Sequence, residues 1–445
     1  MRALSSLPLD DDVVDQILTY CATFDALESI LLVSKQFHRT FKTHPNSIIR
    51  SVTFNMFGSA LPAALRIVRY PYPSDRNQAL ALGTGMALTC PEEAPSAIVL
   101  LPNEIRQLLD LSKTIAKLED IYSVTHKDRS YNTSVLTPSE SQKFRRAAYR
   151  LMLFCNLFPG SHYDYEESEE MDDQTLNAIM DQRAAVLDVY SDAELKEIYA
   201  VAEGMRVLST WWEPDDSDEL LVNTTDVTFA AGPVALVDYW HTHSLSKASE
   251  LFQNDLMDYD YEEPSRLYTQ YFAKPLKHVL DKRGILTSKS NASRFVLDST
   301  VGGDDTCSQC DTSGGLRLFT KTTWGHLSFY PFPALLRGGL KLDFAIVSAV
   351  SNSISLSSPR IFAIVAADPE TEAAWAKAKW DVSMSYCNTC LRNYIEEHSW
   401  KWYLKQRLEE GWIPPEDCWY GYDCKTQRHQ HHANSRNHLC KPTRS

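Results

Sequence analysis

The sequence predicts a mainly α-helical protein whose last third carries a small zinc-bearing α+β region. Three observations carry that prediction. Helix-start signals recur through the first two-thirds, short alternating segments between Gly and Pro follow Arg294, and seven of the ten cysteines fall after residue 300. At this length two or three domains are expected. The divisions read as a three-helix module over 1–50, a helical region over 51–293, a Cys₄ zinc-binding α+β region over 294–412 and a terminal Cys₂His₂-type finger over 413–445.

In the first module Val14, Ile17, Leu18 and Cys21 fall on one helical face, and a second helix presents Leu27, Ile30 and Leu31. Phe37 and Phe41, one turn apart, mark a third. Three such short helices bury little surface, so they are expected to dock on a partner or on the next domain. Further on, Asp25 to Glu28, Thr137 to Glu140 and Ser191 to Glu194 have capping-box spacing, the second with Pro138 at the first helical position. Leu108, Leu109, Leu111, Ile115 and Leu118 line one face of another helix, as do Ile198, Val201 and Met205 after Glu197. Acidic stretches at 164–173, 213–219 and 255–263 read as solvated loops between helical subdomains, because they lack the ligand spacing of a calcium loop. After Arg294, short segments such as Arg317–Thr320 and Leu327–Tyr330 between Gly and Pro suggest hairpins. A last helix is expected from about Thr389 to Glu410, with Leu391, Tyr394, Ile395, His398 and Trp402 on its apolar side.

The net charge of −14 opposes general binding to phosphate backbones. After Asp423, however, no acidic residue follows, while Lys425, Arg428, Arg436, Lys441 and Arg444 do. No secretory h-region follows Arg2 and no apolar run reaches membrane length, so no membrane partner and a cytoplasmic or nuclear location are expected. In those compartments cysteines are thiols or metal ligands. Cys21, Cys90 and Cys155 lie in helix-like apolar patterns and read as small buried hydrophobes.

Cys307 and Cys310 form one C-x-x-C pair, and Cys387 and Cys390 a second. Two intervening residues let both thiolates of a pair reach one tetrahedral ion, and two pairs complete a Cys₄ shell. The second pair opens the last helix, where backbone N–H groups favour thiolate. A redox pair would need a βα setting that neither has. His326 or His398 stands as an alternative for one cysteine. A second set follows from Cys418, Cys424, His432 and His438, with Gly421 placed for a tight turn and His431 or Cys440 as alternative ligands. A segment this short needs its metal to fold. Two zinc ions are therefore expected.

The pattern of Cys418, Tyr420, Gly421, Cys424, His432 and His438 resembles the poly(ADP-ribose)-binding zinc finger. The resemblance implies an ADP-ribose polymer as ligand, with Tyr420 at a contact position. Lys425 and Thr426 stand where the family has Tyr-Arg. Residues 5–50 resemble the F-box, through Leu7, Pro8, Val13, Val14, Ile17, Leu18, Leu27, Leu31, Leu32, Val33, Ser34, Lys35 and Phe37. That resemblance implies docking into a Skp-family adaptor of a cullin-based ubiquitin ligase. Leu7, Pro8, Val14, Ile17, Leu18, Leu27, Leu31 and Phe37 are its expected partner-binding residues, and the rest of the chain would capture a target protein.

Other patterns carry less. Gly83–Thr84–Gly85 lacks the third glycine of a dinucleotide loop and reads as a turn; His241 and His243 read as a surface pair. No G-x-S-x-G, P-loop or H-E-x-x-H occurs, so no catalytic residue is named and a non-enzyme is expected.

Overall fold

A computed structural model describes residues 9–162, 171–210, 229–230, 232–242, 271–320, 323, 336–351, 381 and 383–444. Leu7, Pro8, His243, His326, the segment Leu327–Tyr330 and the acidic stretches at 164–170, 213–219 and 255–263 lie outside them.

The helices start where side chains can satisfy their first N–H groups. Asp10 caps α1 (Asp11–Thr19) and Ser34 caps α3 (Lys35–Thr43). Between them α2 (Phe24–Val33) is capped by Thr23, whose hydroxyl accepts from Ala26 N at 3.1 Å. The expected box at Asp25 does not form, because Thr23 starts the helix two residues earlier and leaves Asp25 inside its first turn. Pro45 opens α4 (Pro45–Phe57).

These four helices close a small core of their own, with Val14, Leu18, Cys21, Leu27, Ile48 and Val52 buried. Val14, Leu18 and Leu27 therefore point inward. The periodicity marked an apolar face correctly, but that face is covered by Ile48 and Val52 of α4, a helix that starts within the fifty residues of the pattern and runs past its end. Ile17, Leu31 and Phe37 are half-buried at its edge. The most exposed aliphatic side chains of this module are Leu32 at 82% and Val33 at 73%, and Tyr20 after α1 is 81% exposed.

Beyond α4, the helices α5 (Leu61–Arg69), α6 (Arg76–Leu82), α7 (Pro102–His126), α8 (Pro138–Leu157), α9 (Asp173–Asp188), α10 (Asp192–Thr210), α11 (Pro233–Thr242) and α12 (Ala273–Lys282) follow in order. The box at Thr137 forms in both directions: its N–H reaches Glu140 Oε2 at 2.8 Å and its hydroxyl accepts from Glu140 N at 3.3 Å. Ser191 and Glu194 repeat it. Gly83 opens a 3₁₀ turn, not a phosphate loop, and His241 is exposed on α11.

Phe57 at the end of α4, the centre of α8 and the apolar side of the last helix belong to one continuous large core. That core also takes in Cys307, Tyr422 and Leu439, so both cysteine-rich segments are packed on the helices. Two helices complete the described chain before the terminal segment: α13 (Phe344–Ser351) and α14 (Asn388–Glu409). Leu391, Tyr394, Ile395, His398 and Trp402 of α14 are all buried, as their spacing predicted. A final short helix, α15, spans Gln430–Ser435.

Among the described residues no strand forms, so the fold is mainly α and the expected hairpins are absent there. Arg317 ends a 3₁₀ turn, and pairing is limited to single bridges: Thr306 with Ser313, Phe319 with Tyr386 and Asp417 with Asn437. These bridges sit beside the cysteines, where two residues of pairing suffice to set the position of a ligand. None of the helices described is long and apolar enough to cross a membrane.

Candidate metal centres

The first centre is built from two backbone turns laid side by side. Cys307 N donates to Thr312 O at 2.9 Å and Asp311 N to Cys307 O at 2.8 Å, closing a knuckle around Cys307 and Cys310. Asp311 takes a φ of 58° at its exit, a left-handed conformation that Asp tolerates better than most residues. Phe319 and Tyr386 exchange backbone hydrogen bonds of 2.8 and 3.0 Å, which brings Cys387 against the knuckle. Cys387 is the N-cap of α14, and its sulfur accepts from Cys390 N at 3.4 Å. Its own N–H reaches Cys307 Sγ at 3.3 Å.

The four sulfurs of Cys307, Cys310, Cys387 and Cys390 lie within 4.8 Å of one another, and Cys310 and Cys387 are 3.7 Å apart. Zn–S bonds of ~2.3 Å in a tetrahedron require a sulfur separation of roughly 3.8 Å. The Thr312 hydroxyl, 3.2 Å from Cys310 Sγ, heads the hydrogen bonds that hold this exposed thiol down to about 6. Burial pushes the Cys387 and Cys390 thiols up, and the neighbouring sulfurs add to it at Cys390. Four thiolates this close repel one another, and a divalent cation among them removes that conflict.

Arg129 mounts this centre on the helical body. Its buried guanidinium donates to Gly315 O at 2.6 Å, to Ser385 Oγ at 2.9 Å and to the Asp305 carboxylate. Beside it Lys127 Nζ meets Glu140 Oε1 at 2.6 Å, and Asp298 N reaches the same oxygen at 2.7 Å. Burial alone would raise Glu140, but these donors outweigh it and hold the carboxyl at about 2.

The second centre brings together Cys418, Cys424, His432 and His438, again within 4.8 Å. Gly421 makes the turn between the cysteines at φ +44°, where any Cβ would collide with Cys440 O. His432, carried by α15, places Nε2 3.4 Å from Cys424 Sγ and 3.9 Å from Cys418 Sγ. Burial lowers the His432 pKa, which favours the neutral imidazole that binds metal. Thr426 Oγ1 lies 3.2 Å from Cys424 Sγ, so each centre has a Cys-x-Thr hydroxyl on a sulfur. Of the alternative ligands, the three within the described residues lie outside both clusters. His431 is exposed, Cys440 donates its thiol to Asn437 O at 3.3 Å, and His398 is buried against Tyr394 with ring centroids 4.5 Å apart.

His438 supplies the detail that spacing did not foretell. Its Nδ1 lies 2.9 Å from Asp343 Oδ2, with both side chains buried. Its Nε2 is buried without a hydrogen-bond partner. Asp343 Oδ1 also accepts from Ile346 N at 3.1 Å and so caps α13. Nothing local in the sequence distinguishes Asp343 among 58 acidic residues. The Cys-x-Thr repeat at Cys310 and Cys424, by contrast, is readable in the sequence.

On the outer face of this segment Trp419 is 55% and Tyr420 48% exposed, and the Arg444 guanidinium lies 3.6 Å over the Trp419 ring. Lys425 and Arg428 are exposed nearby in sequence. Comparisons with protein-family models, with curated proteins and with solved structures return no match.

Proposed function

We propose that this chain is a non-catalytic substrate adaptor of a Skp–cullin–F-box ubiquitin ligase, with two structural zinc ions clasping its C-terminal part. The observation that supports it best is the separate core of the N-terminal helices, which leaves Leu32 and Val33 presented beside the body and not absorbed into it. Covering such side chains on a partner is worth about 1.5–3 kcal/mol each, enough to matter in a docking contact. Bond-forming chemistry would belong to the recruited conjugating enzyme. Zinc is favoured by the donors, since four thiolates, or two thiolates with two imidazoles, suit it better than the oxygen-seeking cations.

The test uses a purified Skp-family protein and the double variant Leu32→Asp, Val33→Asp. Because both positions are exposed, the variant is expected to keep wild-type helicity and lose at least tenfold in affinity. Leu18→Asp serves as the contrast, since it disrupts the module's own core. Equal binding by the wild type and the double variant would remove the adaptor reading.

A second reading is favoured by the exposed Trp419 and Tyr420. In it the terminal segment is a zinc-dependent module for ADP-ribose polymer or nucleic acid, and the N-terminal helices are only structural. Aromatic faces beside cations suit a stacked base with its phosphates. Polymer titrated at physiological salt should bind, weaken as salt rises and fail with Tyr420→Ala. No binding by the wild type would end this reading.

A further inference from the structure

We infer that Asp343 is the positioning residue of the second metal centre, fixing the His438 ring so that its Nε2 faces the ion and tying the segment 336–351 to metal loading of the terminal finger. This rests on reading that centre as a zinc site.

A carboxylate only accepts hydrogen bonds. The contact of 2.9 Å therefore places the imidazole proton on Nδ1 and the lone pair on Nε2. That nitrogen is buried and partnerless, a costly state unless a ligand meets it. It belongs to a side chain whose ligand atom sits with Cys418, Cys424 and His432. Ligating histidines characteristically donate their second N–H to such an outer acceptor, which orients the ring and raises its basicity.

Asp343 serves two structures at once. One oxygen caps α13 and the other holds His438. The seam between them is closed further by Phe344 N on Gln427 O at 3.1 Å. The Gln427 amide in turn donates to Cys424 O at 2.6 Å. Gly338 takes φ +57° where a Cβ would press on Tyr422 O. The finger is thus completed by chain that precedes Cys418 by some 75 residues, as the numbering of Asp343 shows.

The experiment compares full-length wild type with Asp343→Ser and Asp343→Asn. Serine retains the helix cap but is too short for His438. Asparagine retains the cap and turns an N–H₂ donor toward the ring, which drives the imidazole proton onto Nε2. Zinc content, chelator competition and the cobalt-substituted spectra separate an all-sulfur site from a mixed sulfur–nitrogen one. Wild type should hold two ions, and both variants should lose about 10–100-fold in affinity at the mixed site alone. Zinc-loaded wild type should also show a protected His438 Nδ1–H in ¹⁵N spectra, a measurement that needs no substitution. Two ions held equally by all three proteins, or a metal-bound Nδ1, would overturn the inference. A wild type that takes one ion with an all-sulfur spectrum would overturn the reading of the second centre itself.

Discussion

The first centre draws its ligands from pairs separated by 77 residues between Cys310 and Cys387, whereas the second takes all four between Cys418 and His438. Ligand spacing alone would make the first a product of the whole fold and the second an independent finger. The contacts give a different division. In the first, backbone turns and a helix cap place each thiolate, and distant chain enters mainly through Arg129 on its mount. In the second, one of the ligands is oriented by Asp343, 95 residues away. Both ions would therefore act as cross-links between remote segments, a role disulfides fill in oxidising compartments.

Removing one ligand from each centre should give the largest effects. Cys387→Ala and Cys418→Ala should each reduce zinc content from two ions to one. Each forfeits much of an apparent binding energy on the order of 10 kcal/mol. Limited proteolysis then locates the damage. Cleavage in Cys387→Ala should fall around 305–320 and the start of α14. In Cys418→Ala it should reach both the terminal finger and 336–351, and protection of 336–351 would break the comparison.

Arg129→Ala should cost about 2 kcal/mol, since it strands Gly315 O and a half-exposed Asp305. Its signature is a lower thermal midpoint with faster zinc loss from the first centre and an unchanged second. Smallest are Thr312→Ala and Thr426→Ala, each removing one hydroxyl from a sulfur. About 1 kcal/mol, roughly fivefold in affinity, is expected at its own centre only. A cross-effect in chelator competition would mean that the two centres communicate.

Much of this was legible in the residues. Paired cysteines at x₂ spacing and the Cys-Cys-His-His order name chemistry directly, because metal ligands are few in kind and closely constrained in geometry. The buried face of α14 and the boxes at Thr137 and Ser191 were equally plain, since both depend on neighbours within two helical turns. What failed depends on distance. The stripe of Val14, Leu18 and Leu27 showed an apolar face without showing that Ile48 and Val52 cover it. Segments rich in Gly around Arg317 read as hairpins, yet the chain there needs only one bridge to Tyr386 to set a cysteine. Asp343 and Arg129 are invisible for the same reason: each matters through a single partner far along the chain.

Helix α4 buries Ile48 and Val52 in the small core and Phe57 in the large one. An α-helix advances about 1.5 Å and rotates about 100° per residue, so this rod sets both the reach and the aim of whatever the N-terminal helices hold. A cargo carried there would be swung by the body as if on a crank, with bend resisted by the Asn55 amide gripping Thr19 O and Cys21 O at 2.8 and 3.0 Å. Inserting one residue midway would leave each core nearly intact yet point the load in a new direction.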